Sequence, residues 1–460
     1  MTDMKNYDAI IIGFGKGGKT LASDLGKRGW NVALVERSAQ MYGGTCINIA
    51  CIPTKALIHS AKIAGYHPLQ DFGQKSEEFR KAIDQKNEIT AFLRKKNFDN
   101  LNNNPQVDLY TGEAAFRSDK VIEVKTEKET LLLTAEKIFI NTGAETVIPP
   151  IEGIEETENV YTSTSIMELK RLPERLVIIG GGYIGLEFAS MFAGFGSRVT
   201  VLESYPHLLS REDPDIAEAV RSTLEKKGIV FRVNTQVLSV KNSGDRVSVN
   251  CRDAAKGEEY AVEAEALLVA TGRRPATSSL RLETTGIKTD KHGAIVVNEK
   301  LQTSVAGVWA LGDVKGGLQF TYISLDDYRI IREQLFGEND RTVSDRQPVA
   351  YSVFIDPPLS RIGLTEKEAR AQGYEVLVKK IDVATIPRAR VLGGTEGVLK
   401  SVVDAADGKI LGCSLFCVDS EEVINTVSVA IKAGLDYTFL RDQIYTHPTM
   451  SESLNDLFTF

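Results

Sequence analysis

The chain has 460 residues, 42% hydrophobic and 25% charged, an ordinary globular balance that at roughly 150 residues per domain suggests about three domains. Its formal net charge of -7 excludes the basic face that nucleic acid or an anionic membrane would require. Five cysteines are too few for a secreted disulfide framework, and the start Met1-Thr2-Asp3-Met4-Lys5 has none of the parts of a signal peptide, so a cytoplasmic location is expected.

The first apolar run, Asp8 to Ile12, is the kind buried on both faces of a parallel sheet. It leads into Gly13-Phe14-Gly15-Lys16-Gly17-Gly18, after which a helix is expected from Lys19 to about Arg28, closed by Gly29. A second strand, Val32 to Val35, then ends at Glu36. This is a dinucleotide fingerprint in its required context: the glycines permit the turn, the pyrophosphate meets the helix N-terminus, and the acid holds a ribose.

Next come Gly43-Gly44-Thr45-Cys46 and Cys51-Ile52-Pro53-Thr54-Lys55. On a straight helix, residues five apart are separated by about 7.5 Å of rise and about 140° of rotation, beyond easy reach of a disulfide that needs Cα atoms within roughly 7 Å. The sulfurs of Cys46 and Cys51 can meet only if the helix start is distorted, which Gly43 and Gly44 make cheap. Two buried structural thiols are the other reading of the same spacing.

The nucleotide unit then repeats. Leu176 to Ile179 leads into Gly180-Gly181-Gly182-Tyr183-Ile184-Gly185, and Val199 to Leu202 ends at Glu203. The glycine-to-acid offset, Gly13 to Glu36 and Gly180 to Glu203, is 23 residues both times. Two dinucleotide sites suggest two cofactors that exchange electrons. The carboxylate of Glu203 would accept ribose hydroxyls and repel a 2′-phosphate, so NADH is expected over NADPH. The stretch Val177 to Gly196 is apolar, but Glu187 and its glycines argue for strand, turn and helix rather than a membrane span. A charged Glu187 on the apolar helix Ile184 to Phe195 calls for a partner, because burying it alone would cost several kcal/mol.

Together with Ala270-Thr271-Gly272-Arg273, Leu311-Gly312-Asp313 and His447-Pro448-Thr449, these segments resemble the flavoprotein disulfide reductases over nearly the whole chain. Lys315 to Arg329, Ile386 to Arg390 and Ser451 to Phe458 resemble the reactive-chlorine-resistance branch, which includes hypothiocyanous acid reductases. The resemblance implies an α/β fold: two Rossmann-like domains, for FAD and NAD, and a C-terminal α+β dimerisation domain. FAD binding would use residues 1–150 and 275–346, NADH binding 151–274, and dimerisation 347–460.

The resemblance also assigns roles. Gly13, Gly15, Gly18, Glu36, Arg37, Gly44, Thr45, Lys55, Thr142, Gly143, Gly312 and Asp313 would hold FAD, with Asp313 on the ribityl chain. Gly180, Gly182, Tyr183, Ile184, Gly185, Glu203 and Gly272 would hold NADH, with Tyr183 as a movable gate over the nicotinamide pocket. Lys55 would pair with Glu187 beside the flavin. Electrons would pass from NADH through FAD to a Cys46–Cys51 disulfide, Cys46 then attacking the oxidant while Cys51 faces the flavin. His447, followed by a proline and with Glu452 five residues on to orient it, is the candidate base. Its peptide bond to Pro448 would be cis, and it would complete the partner's site in a homodimer.

Other residues are expected to be passive. His59, His67, His207 and His292 are read as structural or solvated. Cys413 and Cys417, in the apolar run Ile410 to Val418 taken as an interface strand, lie about 13 Å apart along a strand and read as buried thiols rather than metal ligands; no metal site is expected.

The chain also departs from the wider family. Ala50 stands where glycine is usual and Thr54 replaces Ser or Lys. Asp326-Asp327-Tyr328 stands where lipoamide dehydrogenases carry small apolar residues. No vicinal cysteine pair precedes Phe460, against mercuric reductase and large thioredoxin reductases. The leading expectation is an NADH-dependent reductase of a small oxidant, hypothiocyanous acid first. A Cu(II) reductase, a dihydrolipoamide dehydrogenase and a non-catalytic redox sensor are the alternatives, the sensor disfavoured because it needs no second dinucleotide site.

Overall fold

Apolar runs with polar residues only at their ends become strands covered on both faces, and the parallel sheets begin at these runs. In the strand Met4–Ile12, Ile10 and Ile12 join one buried cluster, with Ala33, Val35, Ile138 and Ile140. Ala9 and Ile11 join the opposite one, with Val32, Leu34 and Phe139. This is the period of two expected of a strand with both faces in a core, and each of the Val, Leu, Ile and Phe side chains contributes about 1.5–3 kcal/mol on burial.

The computed structural model describes residues 4–66, 71–337 and 340–460; His67 lies outside them. The described residues fall into two compact units, the first drawn from Met1–Ala56, Ile83–Val147 and Gly272–Gln347, the second from Leu57–Ala82, Ile148–Thr271 and Pro348–Phe460.

The first unit is built on a seven-stranded sheet in the order Val107–Thr111, Val32–Glu36, Met4–Ile12, Thr130–Ile140, Val121–Lys125, Glu113–Ser118, with Val308–Ala310 also pairing with Thr130–Ile140. Pairings around Met4–Ile12 are parallel, with Ile11 opposite Leu34 and Phe139, and the last two strands turn antiparallel. The first helix is Lys16–Lys27, starting three residues before the expected Lys19. Glycines weaken a helix interior. Here they lie within the first turn because nothing larger fits: a Cβ on Gly17 would come 2.5 Å from the Ser324 carbonyl, and one on Gly18 would come 2.5 Å from that of Gly13.

The second unit holds a five-stranded parallel sheet in the order Val230–Arg232, Arg198–Leu202, Arg175–Ile179, Ala266–Val269, Val160–Thr162, beside an antiparallel three-stranded sheet, Thr235–Ser243, Arg246–Asp253, Glu259–Ala264. The helix Tyr183–Phe195 follows Arg175–Ile179 and stops at Gly196, where φ is +103° and the amides of Gly196 and Ser197 both return to the Phe192 carbonyl. Residues 348–460 add an antiparallel sheet in the order Tyr351–Val353, Leu359–Gly363, Ile410–Phe416, Val398–Asp404, Val376–Asp382. The run read as an interface strand is therefore an inner strand of this sheet, with neighbours on both edges. Its apolar character is explained by the core of its own domain. Cys413 and Cys417 are buried free thiols there, held protonated by burial.

The Asp326-Asp327 pair that marked a departure from lipoamide dehydrogenases is a buried charge cluster in the first unit. Fully buried Asp327 accepts the Gly312 amide at 2.8 Å and the Arg346 guanidinium at 2.6 Å, with Lys315 at 3.5 Å. Asp326 accepts Arg341 at 2.6 Å. Removing one partner of such a group leaves the others charged and dry, at about 3–5 kcal/mol. Asp327→Ala is expected to lower the thermal midpoint accordingly in a calorimetric scan, and an unchanged midpoint would contradict this assignment.

Candidate active site

The two cysteines stand on separate helices. Gly43 and Gly44 have φ of +94° and +84°, conformations open to glycine at little cost. A single helical turn, Thr45–Asn48, carries Cys46 and ends at Ile49, and a new helix, Cys51–Tyr66, begins at the second cysteine. The break is pinned by Asn48, whose amide nitrogen donates to the carbonyls of Tyr42 and Gly44 while its oxygen accepts Arg94 at 2.8 Å. A Cβ on Gly44 would sit 2.6 Å from the Cα of Gly15, so the redox turn rests directly against the first glycine loop. The result is the distortion that the spacing required: both cysteines are free thiols, and their side chains are in hydrogen-bond contact.

That contact governs the electrostatics. The hydrogen bond that the Cys46 thiol donates to Cys51, then burial, then the Cys51 charge push the Cys46 thiol well above its ordinary range, while Thr321 and Lys19 act in the opposite direction. Cys51 Sγ lies 3.5 Å from Thr321 Oγ1, in the first turn of the helix Thr321–Phe336. Arg273 lies close enough to Cys51 and Asp313 to feel both charges. Lys19 donates from Nζ to the Gly43 carbonyl at 3.1 Å; burial, then repulsion from Lys16, lower its pKa to about 8, and Cys46 acts to raise it. Sequence reasoning gave Lys19, Thr321 and Arg273 no role. A lysine directly after the last fingerprint glycine was a visible signal for Lys19, whereas Thr321 is brought to Cys51 by tertiary folding alone.

Both fingerprint acids tie down their own loops. Glu36 Oε2 accepts the Phe14 amide at 3.0 Å and Glu203 Oε2 the Gly181 amide at 2.7 Å, the same bond in both repeats. Burial raises the pKa of Glu36 against these backbone hydrogen bonds. Gly13 and Gly180 have φ of +105° and +107° and abut the carbonyls of Asn141 and Ala270. Asn141, also missed, accepts the Gly18 amide at 2.9 Å and donates to the Leu311 carbonyl at 2.7 Å, joining the loop to the turn before Gly312 and Asp313.

These residues fit the dinucleotides that the repeats call for. Gly15 and Gly182 begin their helices with no side-chain cap; in the first helix Ser324 and Asn141 take the amides of Gly17 and Gly18, while the amides opening the second helix are left for a phosphate. A Cβ on Gly182 would meet open space. The Asp313 carboxyl is raised by burial, with Arg273 and Lys315 opposing, and accepts no hydrogen bond from the described residues, so a sugar hydroxyl would satisfy it. Thr142 donates to the Ala276 carbonyl, Gly143 accepts the Ala276 amide and Gly272 the Val147 amide, which fixes the crossing between these segments. Thr45 opens the Cys46 turn, Ile184 and Gly185 lie in the first turn of Tyr183–Phe195, and Arg37 is exposed after Glu36. Lys55 lies in the first turns of Cys51–Tyr66.

In the second unit, Glu187 is buried and accepts the Phe354 amide at 2.9 Å. The Tyr183 hydroxyl donates to Glu212 at 2.8 Å, a carboxylate also held by Tyr351 and, at 3.2 Å, by Arg361. His447, 72% exposed, meets Glu452 through Nδ1 at 2.8 Å, which leaves Nε2 for a proton, and its bond to Pro448 is cis. Among the described residues, no group of three or more His, Cys, Asp or Glu side chains is arranged to hold a metal ion, and no helix is long and apolar enough to cross a membrane.

Comparison with known proteins agrees with this geometry. The family described as "Pyridine nucleotide-disulphide oxidoreductase" matches residues 7–327, and its dimerisation domain matches residues 349–458. The chain is 52% identical over 456 residues to "Probable pyridine nucleotide-disulfide oxidoreductase RclA" of Escherichia coli (strain K12), covering 99% of both proteins. It is 34% identical to a mercuric reductase of Staphylococcus aureus, covering 98% of this chain and 81% of that one. Among solved structures, the "Cu(II) complex of HOCl-induced flavoprotein disulfide reductase RclA from Escherichia coli" is similar with a TM-score of 0.93 at 52% identity, covering 99% of each chain.

Loss of a hydrogen bond to a charged group costs about 1.5–3 kcal/mol, or roughly tenfold to a hundredfold in affinity. Asp313→Ala is therefore expected to retain flavin that much more weakly, read as the flavin-to-protein absorbance ratio after dialysis; full retention would remove Asp313 from the flavin site.

Proposed function

The chain belongs to the pyridine nucleotide-disulphide oxidoreductase family, and from that premise we propose that it reduces a small oxidant, hypothiocyanous acid, at the expense of NADH through a Cys46–Cys51 disulfide. The contact between the two thiols across the helix break carries this reading. FAD, when bound, relays two electrons from the nicotinamide to the disulfide. Its ADP half is assigned to the Gly13–Gly18 loop with Glu36, and its ribityl chain to Asp313. Glu203 supports NADH over NADPH, since a second negative group on the ribose would face its carboxylate.

The rest follows from the side chains. Cys46, on the short turn, is the attacking thiol. Its thiolate takes the sulfur of hypothiocyanous acid and releases hydroxide, which a proton converts to water. Cys51 then attacks Cys46 Sγ, releasing thiocyanate and re-forming the disulfide. The net reaction consumes one NADH and one hypothiocyanous acid and yields NAD⁺, thiocyanate and water. Thr321 and Arg273 lie where they stabilise charge on Cys51. Lys55 and Glu187 are each assigned to the flavin site, and Tyr183, whose hydroxyl donates to Glu212, as the nicotinamide gate.

His447 of the partner subunit is assigned as the base that takes the Cys46 proton at Nε2, with Glu452 fixing its tautomer. The matched dimerisation domain supports a homodimer. So does the exposure of Ile444 beside His447, 90% of whose surface is open in the single chain.

A second reading, reduction of Cu(II) by the same thiols, is favoured by the solved Cu(II) complex of the similar Escherichia coli protein. One assay separates the two. NADH oxidation followed at 340 nm is expected to proceed with hypothiocyanous acid and to fall at least a hundredfold in Cys46→Ser, since a nucleophile is removed. Turnover with Cu(II) but none with hypothiocyanous acid would select the second reading, and turnover unaffected by Cys46→Ser would defeat both.

A further inference from the structure

Disulfide chemistry needs a thiolate, yet two of the strongest influences on Cys46, its hydrogen bond with Cys51 and its burial, hold it protonated. The proposed base belongs to the partner subunit. Within its own subunit, the charged and titratable groups facing Cys46 come from three helices. Cys51 faces it from Cys51–Tyr66, Lys19 from Lys16–Lys27, and the hydroxyl of Thr321 from Thr321–Phe336. Lys16 faces Lys19 in turn, and Arg273, near Asp313, faces Cys51 rather than Cys46. Lys19 is thus the cation of this set that acts on Cys46.

Its placement is built. Lys19 follows directly on Gly18, the last glycine of the loop, on a helix held close by the absence of a side chain at Gly17 and Gly18. Its Nζ is anchored to the carbonyl of Gly43, three residues before Cys46. Of its three donors only this bond is spent among the described residues, and no carboxylate there lies within ion-pair reach. Among the described residues, the group acting on this ammonium that can become an anion is Cys46. The interaction is reciprocal: Lys19 favours ionisation of Cys46, and Cys46 favours the charged form of Lys19.

We propose that Lys19 is the in-subunit positioning residue for the attacking thiol: its ammonium, fixed on the Gly43 carbonyl, stabilises the thiolate of Cys46. The thiol proton leaves to the partner's base or to water; at pH 7, below its own pKa of about 8, Lys19 keeps its protons, and it is neither oxidised nor reduced. This rests on the reading of Cys46 as the nucleophile, but its test needs no oxidant.

The experiment is the pH dependence of iodoacetamide alkylation of Cys46, quantified by peptide mass, in the flavin-loaded full-length Cys51→Ser protein with and without Lys19→Met. An opposite charge within about 4–6 Å lowers an acid's pKa by about 1–3 units, and Lys19, the smallest of the influences on Cys46, is placed at the low end. Lys19→Met is therefore expected to move the alkylation midpoint up by about one pH unit and to slow the reaction about tenfold at pH 7, while Lys19→Arg stays near the parent. An unchanged midpoint in Lys19→Met with normal flavin absorbance would overturn the proposal. If that variant does not retain flavin, Lys19→Gln takes its place under the same criterion. Failure of oxidant turnover with a shifted midpoint would count against the proposed function alone, and turnover with an unshifted midpoint against Lys19 alone.

Discussion

Everything proposed for electron transfer hangs on a helix that does not continue. Between Asn48 and Cys51 the chain leaves one helical turn and begins another helix, and this lets thiols five residues apart touch. The break is imposed from outside the segment. Gly44 is pressed against the Cα of Gly15, so the redox turn and the first phosphate loop cannot be built independently. Asn48, held by Arg94, locks the turn on its other side. A side chain at Gly44 would have to separate the two, whereas the same residue in an isolated helix would cost only propensity.

The same economy recurs at both nucleotide loops. Each fingerprint acid accepts an amide of its own glycine loop, so the carboxylate that would select a ribose also holds the loop in shape. In the first unit, Asn141 and Asp327 extend this scaffolding to Gly18 and Gly312, which are far apart in sequence. Binding and folding share these side chains, and substitutions there are expected to damage both together.

Much of this was legible in the sequence because it is local. Glycine spacing, the strand before it and the acid 23 residues on are written within one stretch of chain, twice. The demand for a distorted helix at the cysteines followed from helix geometry alone. Three features were not legible. The first helix begins among its glycines because the carbonyls of Ser324 and Gly13 exclude a Cβ there, which only the folded chain reveals. The run Ile410 to Val418 looked like an interface strand because an inner strand of a sheet and a strand buried by a partner have the same composition. Thr321 reaches Cys51 across 270 residues of sequence, and no spacing rule could have placed it there. By contrast, the Asp326-Asp327 pair was noticed as an anomaly, and its cause is a buried set of arginine and lysine partners.

The central claim is that Cys46 and Cys51 form the disulfide that NADH reduces. The direct measurement is anaerobic: oxidised, flavin-loaded enzyme is treated with one equivalent of NADH, alkylated, and the peptide spanning both cysteines is weighed. No label is expected on this peptide before NADH, and label on it afterwards, entering at Cys46 first. A peptide that labels equally before and after NADH, while the flavin absorbance still bleaches, would contradict it.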